Sequence, residues 1–242
     1  MALFSKPKQD IIPAIDPEIP PNTSPPVLVP KPQPTTPKGL LWCPFAKKTG
    51  VPMKDRGEYR KGYPEGAVIH FTAGQWGTSA LEAGVSGGFL YLLIDEMGLV
   101  YQSNSLNKWG DHVGDSEWSS LGTWLSKYLV GIEIACGGEV TKQIDGTYKT
   151  WFGKIFPPDQ VRYVDKKDNI LNPGYYQKYT QVQEDSLIKL LRWLKSNNPD
   201  IFSFDYVLGH DEVCRPRGRK LDPGGSLSKT MPEFREYLKG IL

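Results

Sequence analysis

Cysteine and histidine are both scarce in this chain of 242 residues, at three each. Cys43, Cys136 and Cys214 are odd in number and widely spaced, with no C-x-x-C pair. That excludes a disulfide framework and a cysteine-rich zinc knuckle, leaving reduced packing residues as the expected role. No segment approaches the ~20 apolar residues that a membrane span needs, so no membrane insertion is expected. Residues 1–12 lack the apolar run and small-residue cleavage site of a secretory signal. Excess charge is also missing. Twenty-nine basic against 27 acidic residues leave a net +2, too little to make nucleic acid the main partner.

What is abundant first is proline. Eleven of the 21 prolines fall between Pro7 and Pro37. Proline removes backbone donors and blocks regular helix and sheet, so residues 1–38 read as an extended linker or tail. A PxxP-type ligand for a partner protein is the other use such a stretch can have. The remaining residues, 39–242, suffice for one globular domain with a substantial core, expected to be monomeric.

Within that domain, residues 67–70 are a short apolar run bounded by Gly66 and Gly74, and read as a buried strand ending in a loop. A second apolar run, 89–94, is followed by a turn at 95–98 and residues 99–101, which predicts a hairpin. Residues 129–135 form a third strand with one charge, Glu133, among apolar neighbours. A short helix is expected over 78–83 and a long one over 181–197. Thr180 stands as N-cap with Gln183 three residues on, Val182, Leu187, Leu190, Leu191 and Leu194 recur at helical spacing, and Pro199 stops the helix. A strand at 206–208 and a terminal helix at 232–238 follow. Strands interleaved with helices predict an α/β domain with a single mixed central sheet flanked by helices. Residues 137–175 show little periodicity and read as a loop or small hairpin beside the substrate cleft.

The three histidines fall in suggestive places. His70 and His210 each close an apolar strand, so they converge on one ion if their strands are neighbours, and neutral imidazole is a good zinc ligand. A catalytic zinc needs a third protein ligand, and Asp222 in Lys220-Leu-Asp-Pro-Gly224 is the local candidate. Lys220, two residues earlier, projects from the same side of an extended segment and suits stabilisation of an oxyanion. The same stretch also reads as a solvated Arg-Gly-Arg-Lys surface loop, and spacing alone leaves the two open. Glu133 alternates with Ile132 and Ile134, so it faces away from them. Burial there would raise its pKa, as suits a general base.

Five segments in order carry a family resemblance. They are Val68-Ile-His-Phe-Thr-Ala-Gly74, Tyr91-Leu-Leu-Ile-Asp-Glu-Met-Gly98, His112-Val-Gly-Asp-Ser-Glu-Trp118, Val130-Gly-Ile-Glu-Ile134, and Gly209-His-Asp-Glu-Val213 continuing through Lys220-Leu-Asp-Pro-Gly224. Over residues 62–240 the chain resembles the N-acetylmuramoyl-L-alanine amidases of the amidase-2 group, whose fold is shared by peptidoglycan-recognition proteins and T7-type phage lysozymes.

The resemblance implies a zinc enzyme that cuts peptidoglycan between the muramoyl sugar and L-alanine. It implies His70, His210 and Asp222 as zinc (Zn2+) ligands, Glu133 as the residue that activates water, and Lys220 as the one that steadies the tetrahedral intermediate. His112, Tyr91 and Trp118 are the candidates for the substrate groove, and Trp109 and Trp124 could also offer ring faces. Phe71 stands where many relatives have a second histidine, Tyr91 where histidine is common, and Asp222 where some have cysteine. Neighbouring Cys214 is expected to be a spectator. A wall amidase with no visible export signal resembles a phage endolysin or virion-borne lysin, made in the cytoplasm and delivered to the wall, with a cytoplasmic recycling amidase as a further option. The alternatives are a muropeptide-binding module without catalysis, a structural phage component, and a zinc peptidase acting within the stem peptide.

Overall fold

The computed structural model describes residues 39–49, 52, 54–74, 81, 84–88, 90–165 and 173–241. The proline-rich stretch and most of the short helix expected at 78–83 lie outside the described residues. The central sheet has six strands: β1 (Lys47–Lys48), β2 (Gly66–Phe71), β3 (Leu92–Ile94), β4 (Val100–Gln102), β7 (Leu129–Ile134) and β13 (Val207–Gly209). Their order is β1-β4-β3-β7-β2-β13, with β3 and β4 antiparallel and every other pairing parallel. A two-stranded ribbon, β5 (Glu117–Trp118) and β6 (Gly122–Thr123), precedes β7. The expected α/β fold with a mixed central sheet is the one observed.

Alternation along the strands sorts side chains between two cores. Ala67 and Ile69 of β2 join Ile132 and Ile134 of β7 on one face, where Leu187, Leu190, Leu191 and Leu194 of helix α1 (Gln181–Asn197) pack on them. Truncating a leucine buried in this way typically costs about 2–5 kcal/mol. Val68, Leu129 and Leu208 point to the opposite face and meet Val113, Leu125 and Val213. Thr180 and Gln183 make the expected capping box on α1. Val182 differs from the expectation: it is exposed rather than part of the apolar stripe.

The β3–β4 turn forms where predicted. Asp95 Oδ1 accepts the backbone N–H groups of Met97 and Leu99, and Gly98 takes φ +76°, open to glycine without strain.

The stretch expected to be a loop or small hairpin is instead the core of a second, five-stranded antiparallel sheet. It comprises β8 (Glu139–Lys142), β9 (Tyr148–Lys149), β10 (Ile155–Phe156), β11 (Val161–Val164) and β12 (Gly174–Gln177), in the order β10-β9-β8-β12-β11. Val140, Tyr148, Phe156 and Val161 give it a small core of its own. Helix α2 (His210–Val213) follows β13 directly, and α3 (Met231–Gly240) closes the described chain. No helix among the described residues is long and apolar enough to cross a membrane.

Candidate active site

Parallel strands β2, β7 and β13 end along one edge of the sheet, and the site is built there. Open parallel sheets generally bind ligands outside the carboxyl ends of their strands. Val68 and Gly131 are register partners on the face away from α1, and two residues further on His70 is paired with Glu133. Leu208 lies beside Val68, and His210 opens α2 one residue after β13 ends.

Asp222 reaches this edge from a loop held at several points. Its carbonyl accepts the Asp211 N–H at 2.8 Å. Tyr176 of β12 packs so closely on Gly224 and Gly225 that a β-carbon at either would lie 2.6–2.8 Å from its ring. Arg162 of β11 donates to the carbonyls of Gly225 and Leu227. The second sheet therefore buttresses the loop that carries Asp222, a role nothing in residues 137–175 announces locally.

Asp222 Oδ2 lies 2.8 Å from His70 Nδ1 and 2.9 Å from His210 Nδ1. His70, His210 and Asp222 are all buried, their donor atoms lying within 4.8 Å of one another. Proton bookkeeping shows what this point is suited to hold. His210 Nε2 is 3.0 Å from the Val113 carbonyl, and His112 Nε2 is 2.9 Å from the Leu129 carbonyl. A carbonyl only accepts, so both Nε2 atoms carry hydrogen. Neutral His112 then has a bare Nδ1, which accepts the His70 Nε2–H at 3.0 Å. Neutral His70 and His210 are thereby left with Nδ1 lone pairs aimed at a carboxylate oxygen. Three lone-pair donors facing one point repel unless a cation or proton lies among them. Two imidazoles and a carboxylate are a donor set that fits a divalent metal such as zinc.

His70 and His112 are suited to the neutral form. Burial, with neighbouring His210 adding to it, pulls His70 down to about 4. Burial likewise lowers His112 well below its ordinary value. His112 thus has a definite job: it fixes the tautomer and orientation of His70. Gly131 makes room for it, since a β-carbon there would sit 2.8 Å from His112 Cγ. Outer partners of this kind are commonly worth 10–100-fold in metal affinity. His112→Ala is expected to weaken metal binding by about that factor. Chelator competition measures it, and unchanged affinity would sink the relay.

Glu133 and Lys220 line the same cleft as His70, His210 and Asp222, a space of about 530 Å³. Among the described residues, the buried Glu133 Oε2 has no hydrogen-bond partner. Burial, and secondarily the nearby Asp222 charge, raises the Glu133 carboxyl to about 8, with Lys220 acting in the opposite direction. A hollow of about 590 Å³ on the other side of the Asp222 loop contains none of these groups, so donor chemistry rather than volume marks the site.

A family model for N-acetylmuramoyl-L-alanine amidase (Amidase_2) matches residues 60–225. The chain belongs to this amidase family. Among solved structures, a selenomethionine derivative of AmpD is similar over 76% of this chain and 90% of its own, at 19% identity and a TM-score of 0.51. AmpDh3 from Pseudomonas aeruginosa, in complex with anhydromuramic pentapeptide, is similar over 79% of this chain and 64% of its own, at 18% identity and a TM-score of 0.50. At these identities the likeness concerns the fold. No curated protein sequence matches the chain.

Not every residue expected at the groove of this amidase is found there. Tyr91 is fully buried in the main core, its hydroxyl donating to the Ser105 carbonyl, so it cannot touch a ligand in this conformation. Trp118 is half-buried against the second core with the Arg235 guanidinium 5.7 Å from its ring centre, and it borders a separate hollow with Glu117 and Arg217. Trp109 and Trp124 do not line the cleft either. Phe71 does line it. Cys214 is buried, its thiol directed at the Asp211 and Pro216 carbonyls, and is not part of the ligand group.

Proposed function

We propose that this amidase hydrolyses the amide between N-acetylmuramic acid and the L-alanine of the peptidoglycan stem, with zinc held by His70, His210 and Asp222. The observation that carries the reading is the convergence of two imidazole Nδ1 atoms and one carboxylate oxygen in a cleft shared with Glu133 and Lys220. A zinc ion supplies such a site with carbonyl polarisation and a lowered water pKa.

The chain's own residues do the rest. Glu133 accepts a proton from the attacking water as the new C–O bond forms, then delivers it to the alanine nitrogen as the C–N bond breaks. Lys220 offers an ammonium to the negative charge that builds on the carbonyl oxygen. His112 keeps His70 aimed, and burial favours the neutral form of these two rings. The setting we propose is lysis of a bacterial wall by a phage-type lysin, with residues 1–38 as a tether. Their eleven prolines support an extended spacer.

Digestion of purified peptidoglycan, with products read by mass spectrometry, tests the reaction. Intact stem peptides beginning with L-alanine should be released, chelator should abolish release, and added zinc should restore it. Cleavage within the peptide would instead identify a peptidase. Binding to the sacculus without any release would identify a recognition module.

A further inference from the structure

Past Phe71, Ala73 and Leu221, which belong to both, the cleft continues into a second hollow of about 410 Å³ against the five-stranded sheet. Alternation in β8 turns Val140 inward to the small core and leaves Glu139 and Thr141 outward, with Lys149 of β9 paired beside Thr141. Gln143 completes this polar wall.

Trp151 stands at its edge, on the turn between β9 and β10, 80% exposed. Its indole N–H donates to the Ala73 carbonyl at 2.7 Å. Ala73 has φ +50°, a left-handed conformation that strains a residue with a β-carbon. That strained residue sits three positions after His70, so the tie joins the insert sheet to the rim of the catalytic cleft. With its single donor engaged, the indole presents a large apolar π surface to solvent beside a wall of hydroxyl, amide and carboxylate groups.

We propose that this hollow is a glycan subsite, in which one pyranose ring of the peptidoglycan strand stacks on Trp151. The inference rests on the amidase reading of the adjoining cleft. A flat aromatic face suits the C–H face of a sugar, and Glu139, Thr141 and Gln143 suit its hydroxyl and acetamido groups. Among the described residues the wall carries one Glu and one Lys, hence no surplus charge. A carboxylate-bearing stem peptide calls for surplus cation, which favours the neutral sugar as occupant.

The test uses the full-length, zinc-loaded chain, with probes that lack the muramoyl–alanine amide, so that binding is read without turnover. The probes are a β-1,4-linked N-acetylglucosamine tetramer and a free stem peptide. With seven tryptophans present, the Trp151 indole N–H resonance is assigned by its loss in Trp151→Phe. The tetramer is expected to shift that resonance. Its affinity should fall about tenfold in Trp151→Ala and less in Trp151→Phe, which keeps a ring. Equal tetramer affinity in wild type and Trp151→Ala would overturn the proposal. So would movement of the resonance by the stem peptide instead of the tetramer. If the zinc-loaded chain releases nothing from peptidoglycan yet binds the tetramer through Trp151, the amidase reading falls and the subsite stands. Stem-peptide release without Trp151-dependent binding would do the reverse.

Discussion

Glu133→Gln is expected to lose about 10²–10⁴-fold in turnover on peptidoglycan while keeping its zinc. The amide matches the carboxylate in shape but cannot take a proton from water. The proposed ligand atoms, on His70, His210 and Asp222, are untouched. Turnover and zinc content measured on one preparation decide the matter. Near-normal turnover removes Glu133 as the base, whereas loss of zinc along with activity makes it a structural support of the site.

The same variant carries a pH signature in chelator-treated protein. Burial raises the folded-state carboxyl to about 8, from an ordinary value of 4.5. A carboxyl raised by folding keeps its proton in the native state where the unfolded chain has lost it. Stability is therefore unaffected below about pH 4, falls as pH rises towards 8, and is flat beyond. Glutamine does not ionise. Metal-free Glu133→Gln should thus match wild type near pH 4 and exceed it near pH 9 by on the order of a few kcal/mol. Denaturant unfolding at the two pH values reads this directly. An equal difference between variant and wild type at both would show that the buried carboxyl is not the group titrating.

Asp222→Ala is expected to have the other large effect, on the metal itself. It removes one of three donors and leaves two buried imidazole lone pairs facing a void. Zinc affinity should fall by more than about a hundredfold, beyond the range for loss of an outer partner such as His112. Activity should go with it. Asp222→Cys should recover much of the binding, because thiolate is a strong zinc ligand. Competition with a chromophoric chelator separates the three proteins. Stoichiometric, undiminished zinc in Asp222→Ala would mean that Asp222 is not a ligand.

Much of this arrangement is readable in the sequence, and the physical reason is locality. β2, β7 and α1 announce themselves through apolar runs, alternation and the Thr180–Gln183 cap, signals contained within a few residues. Glu133 among isoleucines is the same kind of signal, and its side chain does face away from α1. The second sheet had no such signature. Its strands are two to four residues long, too short to show a period, and gain their order from distant pairing, as where Glu139 meets Tyr176. Arg162 and Tyr176, which hold the Asp222 loop, were illegible for that reason.

Residue type misled at Tyr91 and Trp118, where an aromatic in a family-like segment proved to be core or a separate surface. His112 was legible as a member of the cleft but not as a relay. That role depends on the Leu129 carbonyl and on the space above Gly131, neither of which a linear motif encodes. Trp151 gave no local sign at all, because its importance comes from the strained Ala73 carbonyl 78 positions away.

The candidate metal-binding group gathers residues from both ends of the domain, with His70 and Asp222 separated by 152 positions. A bound ion therefore acts as a clasp on nearly the whole fold. Any partly folded chain lacking β2, β13 or the Asp222 loop has at most two donors and a correspondingly feeble grip on metal. Ion binding then adds to the cooperative unfolding free energy of the entire domain rather than to one corner of it. Chelation should loosen even α1, which supplies none of the three donors. Retention of metal through purification would in turn certify that the last loop has docked.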